Sequence, residues 1–226
     1  MSLDIHSSPE HEFEAELGLP EKLPKGERIL WQGSPDTKAL LLRVFHFKIL
    51  GIYFGLLLAY RLFSGYSDGE AYTEVLFAAL RIVALSGLGL GLVGLLGYLI
   101  ASTTVYTITN KRVVMRIGIV LNMTFNFPLK MIESADCGVA KQGYGDIYLK
   151  LSKGTKIAIF HLWPHARPGK WAIPQPSIRA IKNCPEVAQI LVDAWSVENN
   201  VIPRAVQVQG NKKVDTKSPY SEVEPA

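Results

Sequence analysis

Charged side chains and cysteines are both scarce in this chain of 226 residues. Only 19% of the residues are charged, whereas 48% belong to the hydrophobic set, and the mean hydropathy is +0.17. The two cysteines, Cys137 and Cys184, are far apart in sequence and form no CxxC pair, which argues against a disulfide framework or a cysteine-rich zinc site. This composition excludes a disordered or collagen-like chain and fits a soluble domain with a membrane portion added.

Signature motifs of common enzymes are also missing. No GxSxG, Walker loop or HExxH sequence occurs, and the carboxylates Glu133, Asp136 and Asp146 show no paired arrangement. His161 and His165 are close in sequence, but a proline between them argues against a shared helical face, and no cysteine is near them. The sequence therefore predicts a protein without catalytic, metal-ligating or cofactor-binding residues.

The basic residues do not form one long block, although the net charge is +4 and the pI is near 9.0. They flank apolar segments instead of alternating with aromatics along a groove, so no nucleic-acid partner is predicted. Lys111, Arg112 and Arg116 follow the longest apolar segment, where a membrane surface would attract them. Membrane lipids are therefore predicted partners, and specific recognition of anionic lipid remains an alternative function.

Two apolar segments predict a transmembrane hairpin. Residues 45–63 and 75–101 are long enough to cross a bilayer, and the connection 64–74 contains acidic residues but no Lys or Arg. Basic residues lie before the first segment and after the second. The positive-inside rule then places residues 64–74 in the periplasm and both termini in the cytoplasm. Residues 23–44 are a cytoplasmic lead segment, whereas 1–22 and 199–226 are predicted flexible tails.

The second segment carries a face of glycines. Gly87, Gly91 and Gly94 repeat at spacings of four and three, so they lie on one side of a helix and allow close approach of another helix. Three partners fit this glycine face: the first helix of the same chain, a second copy in a homo-oligomer, or a client membrane protein.

A β domain begins where the second apolar segment ends. The stretch 103–116 indicates two strands around a tight turn, and short strands with alternating residues follow to about residue 162. Residues 185–195 have helical spacing. The predicted fold class is an α+β membrane protein: a two-helix transmembrane hairpin, then a small antiparallel β barrel or sandwich over 103–198, closed by a C-terminal α-helix.

The loop 163–168, WPHARP, is predicted to be a rigid, exposed contact surface. Proline restricts the backbone before binding, so less entropy is lost when a partner docks. Trp163, His165 and Arg167 are the candidate partner-binding side chains in this loop. The alternative is a loop that only covers the open end of the barrel.

Several motifs resemble a known family. Residues 106–113 (YTITNKRV) after a membrane hairpin, together with 26–33 (GERILWQG) and 161–168 (HLWPHARP), resemble bacterial pleckstrin-homology-like (PH-like) domains joined to two transmembrane helices. They are more closely similar to the PuhB family, the photosynthetic complex assembly proteins of purple bacteria.

The resemblance to the PuhB family covers residues 23–195 and implies a PH-like fold. It also implies a non-catalytic role in the bacterial inner (intracytoplasmic) membrane, where the protein helps to assemble the reaction centre with its core light-harvesting antenna (LH1). Reaction-centre and core antenna subunits would then be its partners. The alternative is a general PH-like scaffold unconnected to photosynthesis.

Overall fold

The computed structural model describes residues 18–19, 21–139, 143–152, 157–170 and 174–201. Most of the predicted N-terminal tail and nearly all of the predicted C-terminal tail therefore lie outside the described residues. The first half of the chain contains a short strand, β1 (Ile29–Gly33), and three helices: α1 (Thr37–Arg43), α2 (Phe47–Ser67) and α3 (Tyr72–Thr103).

Helices α2 and α3 are both long and apolar enough to cross a membrane. Their large apolar side chains are mostly exposed, as on a surface that faces lipid. Leu56, Leu85 and Leu88, for example, are all more than half exposed. Helix α2 begins two residues later and ends four residues later than the predicted segment 45–63, whereas α3 extends the predicted segment 75–101 by three residues at its start and two at its end. Length and exposure indicate association with a membrane, and the crossing itself stays a prediction.

Helix α1 was not predicted as a separate element. Asp36 caps its first turn, since the Asp36 carboxylate accepts a hydrogen bond from the Ala39 N–H at 2.9 Å. The helix packs against the last turns of α3, and Leu41 lies so close to Gly97 that any side chain at position 97 would collide with it. The pairing of α1 with α3 therefore depends on Gly97, outside the predicted glycine face.

The sequence correctly predicted a hairpin directly after the long apolar segment. A single residue, Thr104, separates α3 from β2 (Val105–Thr109), which pairs with β3 (Arg112–Ile117). Strand β1 lies on the other side of β2, and β4 (Met123–Pro128) pairs with β3. These four strands form one antiparallel sheet in the order β1-β2-β3-β4.

The second sheet contains β5 (Ile132–Val139), β6 (Gly145–Leu151) and β7 (Ser177–Ile181), also antiparallel, with β6 in the middle. Helix α5 (Cys184–Asn199) packs on this sheet, and both sheets contribute to one apolar core that includes Ile108, Met115 and Leu149. The described residues thus show two antiparallel sheets and a C-terminal helix, an α+β architecture. Closure into a barrel stays a prediction.

The expected strand over residues 156–162 is wrong. The described part of this segment contains a short helix, α4 (Ile159–Leu162), in which the Trp163 N–H donates to the Ile159 carbonyl at 2.9 Å. Strand β6 already pairs with β5 on one side and with β7 on the other, so a strand after β6 has no free edge beside it. Strand β7, which fills that edge, was not predicted.

Candidate functional site

A buried polar cluster lies directly below the end of α3. His165 is 1% exposed, and its Nδ1 atom lies 2.6 Å from the hydroxyl oxygen of the fully buried Tyr106. Its Nε2 atom lies 3.4 Å from the hydroxyl of Thr104, the residue that joins α3 to β2. The cluster therefore connects the loop after α4 to the point where the helical hairpin enters the sheet.

The hydrogen bonds assign the protonation of His165. The Tyr106 oxygen accepts a hydrogen bond from the backbone N–H of Arg179 at 3.3 Å, so its own hydrogen is directed at Nδ1 of His165. Nε2 then carries the ring proton. Burial, with a smaller contribution from the positive charge of Arg179, lowers the pKa of His165 to about 3, and burial raises the pKa of Tyr106. Both groups are neutral at physiological pH.

Asp146 connects three parts of the structure with one carboxylate. It is 2% exposed and lies 3.0 Å from the Arg43 guanidinium at the end of α1. It also accepts a hydrogen bond from the Ala180 N–H of β7 at 2.8 Å, and the Arg179 guanidinium lies 3.9 Å away. Asp146 itself belongs to β6. This carboxylate therefore holds the segment before α2 against the second sheet.

The arrangement around Asp146 and His165 provides attachment and no evident chemistry. The Arg179 guanidinium donates to the Pro164 carbonyl at 3.0 Å and lies 3.9 Å from the Asp146 carboxylate. In the described part of the chain no three His, Cys, Asp or Glu side chains come together as a metal site requires. Sequence reasoning missed this cluster because Asp146, Arg43 and Arg179 are distant in sequence and form no motif.

The loop 163–168 differs from the prediction at His165. The structure buries His165, so its expected exposure is wrong, because this side chain supports the loop from below. Trp163 is 54% exposed and packs edge-on against Phe45, with 5.9 Å between ring centroids. Arg167 is half-buried and bound within the chain, with Asp136 at 2.6 Å and the Tyr148 ring 4.7 Å below it. Trp163 is thus the side chain of the three that still offers an open surface.

The predicted basic surface is divided between two ends of a hairpin. Strand β2 leaves α3 and β3 returns, so Arg116 pairs with Val105 beside the helix end, whereas Lys111 and Arg112 lie at the far turn. That turn is roughly 13–17 Å from α3 at about 3.3 Å per strand residue. The register places Lys111 and Arg112 at the end of the hairpin away from α3, and their position at the membrane surface stays a prediction. Both are ion-paired there, Lys111 with Glu198 at 2.6 Å and Arg112 with Glu27 at 2.8 Å.

The glycine face is open. A Cβ atom built on Gly87, Gly91 or Gly94 meets nothing within 4 Å, so neither α2 nor any other described element packs closely there. Close packing inside the chain uses other glycines, Gly65 against Val75 and Gly97 against Leu41. Of the three partners that fit the pattern, the first helix of the same chain is therefore not the one in contact with this face.

Comparisons with known proteins agree with the architecture. The profile of the family described as Bacterial PH domain matches residues 49–190, which run from α2 into α5. An uncharacterised 23.7 kDa protein from the puhA 5′ region of Rhodobacter capsulatus is 33% identical over 195 residues, which cover 86% of this chain and 91% of the relative. No solved structure matches the chain with comparable significance.

Proposed function

This chain belongs to the bacterial PH domain family, as a PuhB-like homologue of the Rhodobacter capsulatus protein, and from that premise we propose that it is a membrane-anchored, non-catalytic assembly factor. Its clients are the photosynthetic reaction centre and the core light-harvesting antenna (LH1) of a purple bacterium. The position of the relative in the puhA 5′ region supports a role linked to photosynthesis.

In this proposal α2 and α3 span the inner membrane and the two sheets lie in the cytoplasm. The connection between the helices carries Asp68 and Glu70 without Lys or Arg, whereas basic residues lie on the side of the sheets. A cysteine at Ser67 should react with a membrane-impermeant reagent added to intact cells, and a cysteine at the exposed Lys25 should not. The reverse pattern would contradict the orientation.

The observation that carries the proposal is the open glycine face on a long apolar helix. In lipid there is little hydrophobic force between helices, so association depends on close backbone packing, which glycine permits. Gly87, Gly91 and Gly94 have no neighbour among the described residues. A helical client subunit, or a second copy of this chain, would gain that packing by docking on the glycine face. Trp163 offers a further contact at the level of the helix end.

Replacing Gly91 with Leu tests this function. The added side chain blocks close approach while making the helix more apolar, so insertion should be unaffected. Gly89→Leu is a matched control, because Gly89 points about 160–200° away from Gly87 and Gly91 at 100° per residue, and its Cβ also meets nothing within 4 Å. We expect several-fold less assembled reaction centre and core antenna in the Gly91→Leu strain, measured by near-infrared absorbance of membranes.

Protein level and membrane insertion should match the wild type in both strains. Equal amounts of complex in the Gly91→Leu and Gly89→Leu strains would show that the glycine face is not used. A clean deletion strain with normal complex would reject the assembly role and favour a general PH-like scaffold unconnected to photosynthesis.

A further inference from the structure

The loop between β3 and β4 exposes apolar side chains in a fixed shape. We call residues 118–123 the apolar tip, in which Val120 is 88% exposed and Leu121 is 81% exposed. Gly118 has a φ of +129°, and a Cβ at this position would collide with the Leu121 carbonyl oxygen, so the tight turn requires glycine. The Asn122 side chain closes the loop. In the amide orientation that satisfies both of its polar atoms, the Asn122 nitrogen donates to the Gly118 carbonyl at 3.1 Å.

Strand register places the apolar tip beside the last turns of α3. Arg116 pairs with Val105, two residues after the helix end, so the top of the loop extends roughly 7–10 Å back along the helix at about 3.3 Å per residue. Ile119 packs against the cluster of buried residues that contains Ile100 and Ala101. The apolar tip therefore lies at the same height as the helical turn that carries Leu96 and Ile100.

An apolar groove of about 260 Å³ separates the apolar tip from α3. Leu96 and Ile100 line it on the helix side, and Leu121 and Met123 line it on the side of the tip. The rest of the lining includes Trp163, Pro164, His161 and His165. Leu121 and Trp163 line this groove together with Leu96, and Leu92, one helical turn before Leu96, is more than half exposed. One continuous apolar surface results.

We propose that the apolar tip and Trp163 insert into the cytoplasmic leaflet of the membrane that holds α2 and α3, with a lipid acyl chain in the groove. The inference rests on the membrane insertion proposed above. Continuity with the lipid-facing surface of α3 identifies the occupant, and Trp163 is a residue type enriched at membrane interfaces. No Asp or Glu occurs anywhere from residue 75 to residue 132, so nothing in the tip repels an anionic lipid surface.

Depth-dependent fluorescence quenching tests the insertion. Full-length protein is reconstituted in liposomes of phosphatidylcholine and phosphatidylglycerol, with an environment-sensitive fluorophore on a single cysteine introduced at Leu121, Leu88 or Lys25. The native cysteines Cys137 and Cys184 are buried, and unsubstituted protein gives the background labelling. Phosphatidylcholine with a nitroxide near the top of its acyl chain, or near the end of that chain, serves as the quencher.

We expect fluorescence from position 121 to be blue-shifted and quenched several-fold more by the shallow nitroxide than fluorescence from position 25, at the exposed far end of the domain. Position 88, in the middle of α3, should be quenched by the deep nitroxide. Absence of quenching at position 88 would reject membrane insertion itself. Quenching at 88 without quenching at 121 would overturn the inference alone.

Quenching by iodide in the aqueous phase distinguishes the two reasons for which a fluorophore at position 121 could remain unquenched by the nitroxide. Quenching by iodide would show that the tip is in water. Protection from both quenchers would show that protein covers the tip, from another part of this chain or from a second copy. Either result excludes lipid as the occupant, and the expected result is protection from iodide together with quenching by the shallow nitroxide.

Discussion

The helical pair and the two sheets use similar apolar side chains in opposite ways. In α2 and α3 the large apolar residues mostly point outward, whereas in the sheets Ile108, Met115, Ile147 and Leu149 are fully buried. The hydrophobic effect favours inward burial in water, and lipid removes that preference. With α2 and α3 in the membrane, as proposed above, the boundary between lipid and water lies at the end of α3. There the chain places the buried polar cluster of His165, Tyr106 and Thr104.

The glycines show the same contrast at smaller scale. Gly65 and Gly97 are covered by Val75 and Leu41 inside the chain, whereas the glycine face is uncovered although it lies in the same long helix as Gly97. The neighbours of each glycine therefore distinguish those that serve packing inside the chain from those for which we propose an external partner. The spacing of glycines in the sequence does not distinguish the covered glycines from the uncovered ones.

The largest predicted effect is a loss of stability in the sheets, without one in the helical pair, when Asp146 is substituted. Asp146→Asn keeps an oxygen for the Ala180 N–H but removes the negative charge that pairs with both Arg43 and Arg179. Loss of one partner from a buried ion pair costs about 3–5 kcal/mol. We expect that decrease in the free energy of unfolding of the sheets, measured by urea denaturation of the full chain in detergent with tryptophan fluorescence as the signal.

Asp136→Asn is the matched control for that substitution. Asp136 also binds one arginine, Arg167, but it is partly exposed, and so water replaces much of the lost interaction. If Asp146→Asn lowered the free energy of unfolding by as little as Asp136→Asn, the buried carboxylate would not be the group that holds α1 to the sheets. Helicity from α2 and α3 should persist in both variants, because their packing does not involve either carboxylate.

Acid should destabilise the sheet region before it affects the helical pair. The pKa of His165 is about 3 in the folded protein and near 6.5 in an unfolded chain, so the unfolded state binds more protons between these values. The stability that this neutral histidine contributes is therefore complete above pH 6.5 and is lost as the pH falls. The expected slope is about 1.4 kcal/mol per pH unit below pH 6.5.

Urea denaturation from pH 7.5 to pH 4.5 measures that slope. His165→Gln keeps an acceptor for the Tyr106 hydroxyl but cannot be protonated, so its stability should decrease less over the same range. Equal slopes for the wild type and His165→Gln would assign the acid sensitivity to other groups.

A smaller effect is expected at Arg167. Its guanidinium binds Asp136 at 2.6 Å and Gln175 at 3.1 Å, and it lies over the Tyr148 ring. Since these contacts are partly exposed, Arg167→Ala should lower the free energy of unfolding by only about 1 kcal/mol. Arg167→Lys should restore part of that loss, because it keeps the charge without the planar stacking. Weaker client capture by Arg167→Ala at unchanged stability would instead support its predicted role in partner binding.

The parts of the fold that depend on local pattern could be predicted from the sequence. Long apolar runs indicated α2 and α3, and alternation around a turn indicated the β2–β3 hairpin after the helix. Strand β6 was expected at residues 145–151 and occurs at Gly145–Leu151. The short helix α1 was missed, although Asp36 at its start is a recognisable capping residue.

The parts that depend on distant pairing could not be predicted. His165 and Tyr106 are far apart in sequence, and only the pairing of β6 with β7 brings the loop after α4 beneath α3. An aspartate on a strand also gives no local sign that it faces inward, because burial of its charge depends on Arg43 from a different segment. The ion pairs of Lys111 and Arg112 could not be predicted either, because their partners Glu198 and Glu27 are distant in sequence.

The single residue between α3 and β2 leaves no tolerance for changes in chain length at this point. Insertion of one residue beside Thr104 would move every side chain of β2 to the opposite face of the sheet if the strand shifts, since strand side chains alternate. If the helix shifts instead, α3 turns by about 100° and Gly97 leaves Leu41. The step from helix to strand must therefore keep the same number of residues for the contacts on both sides of Thr104 to form together.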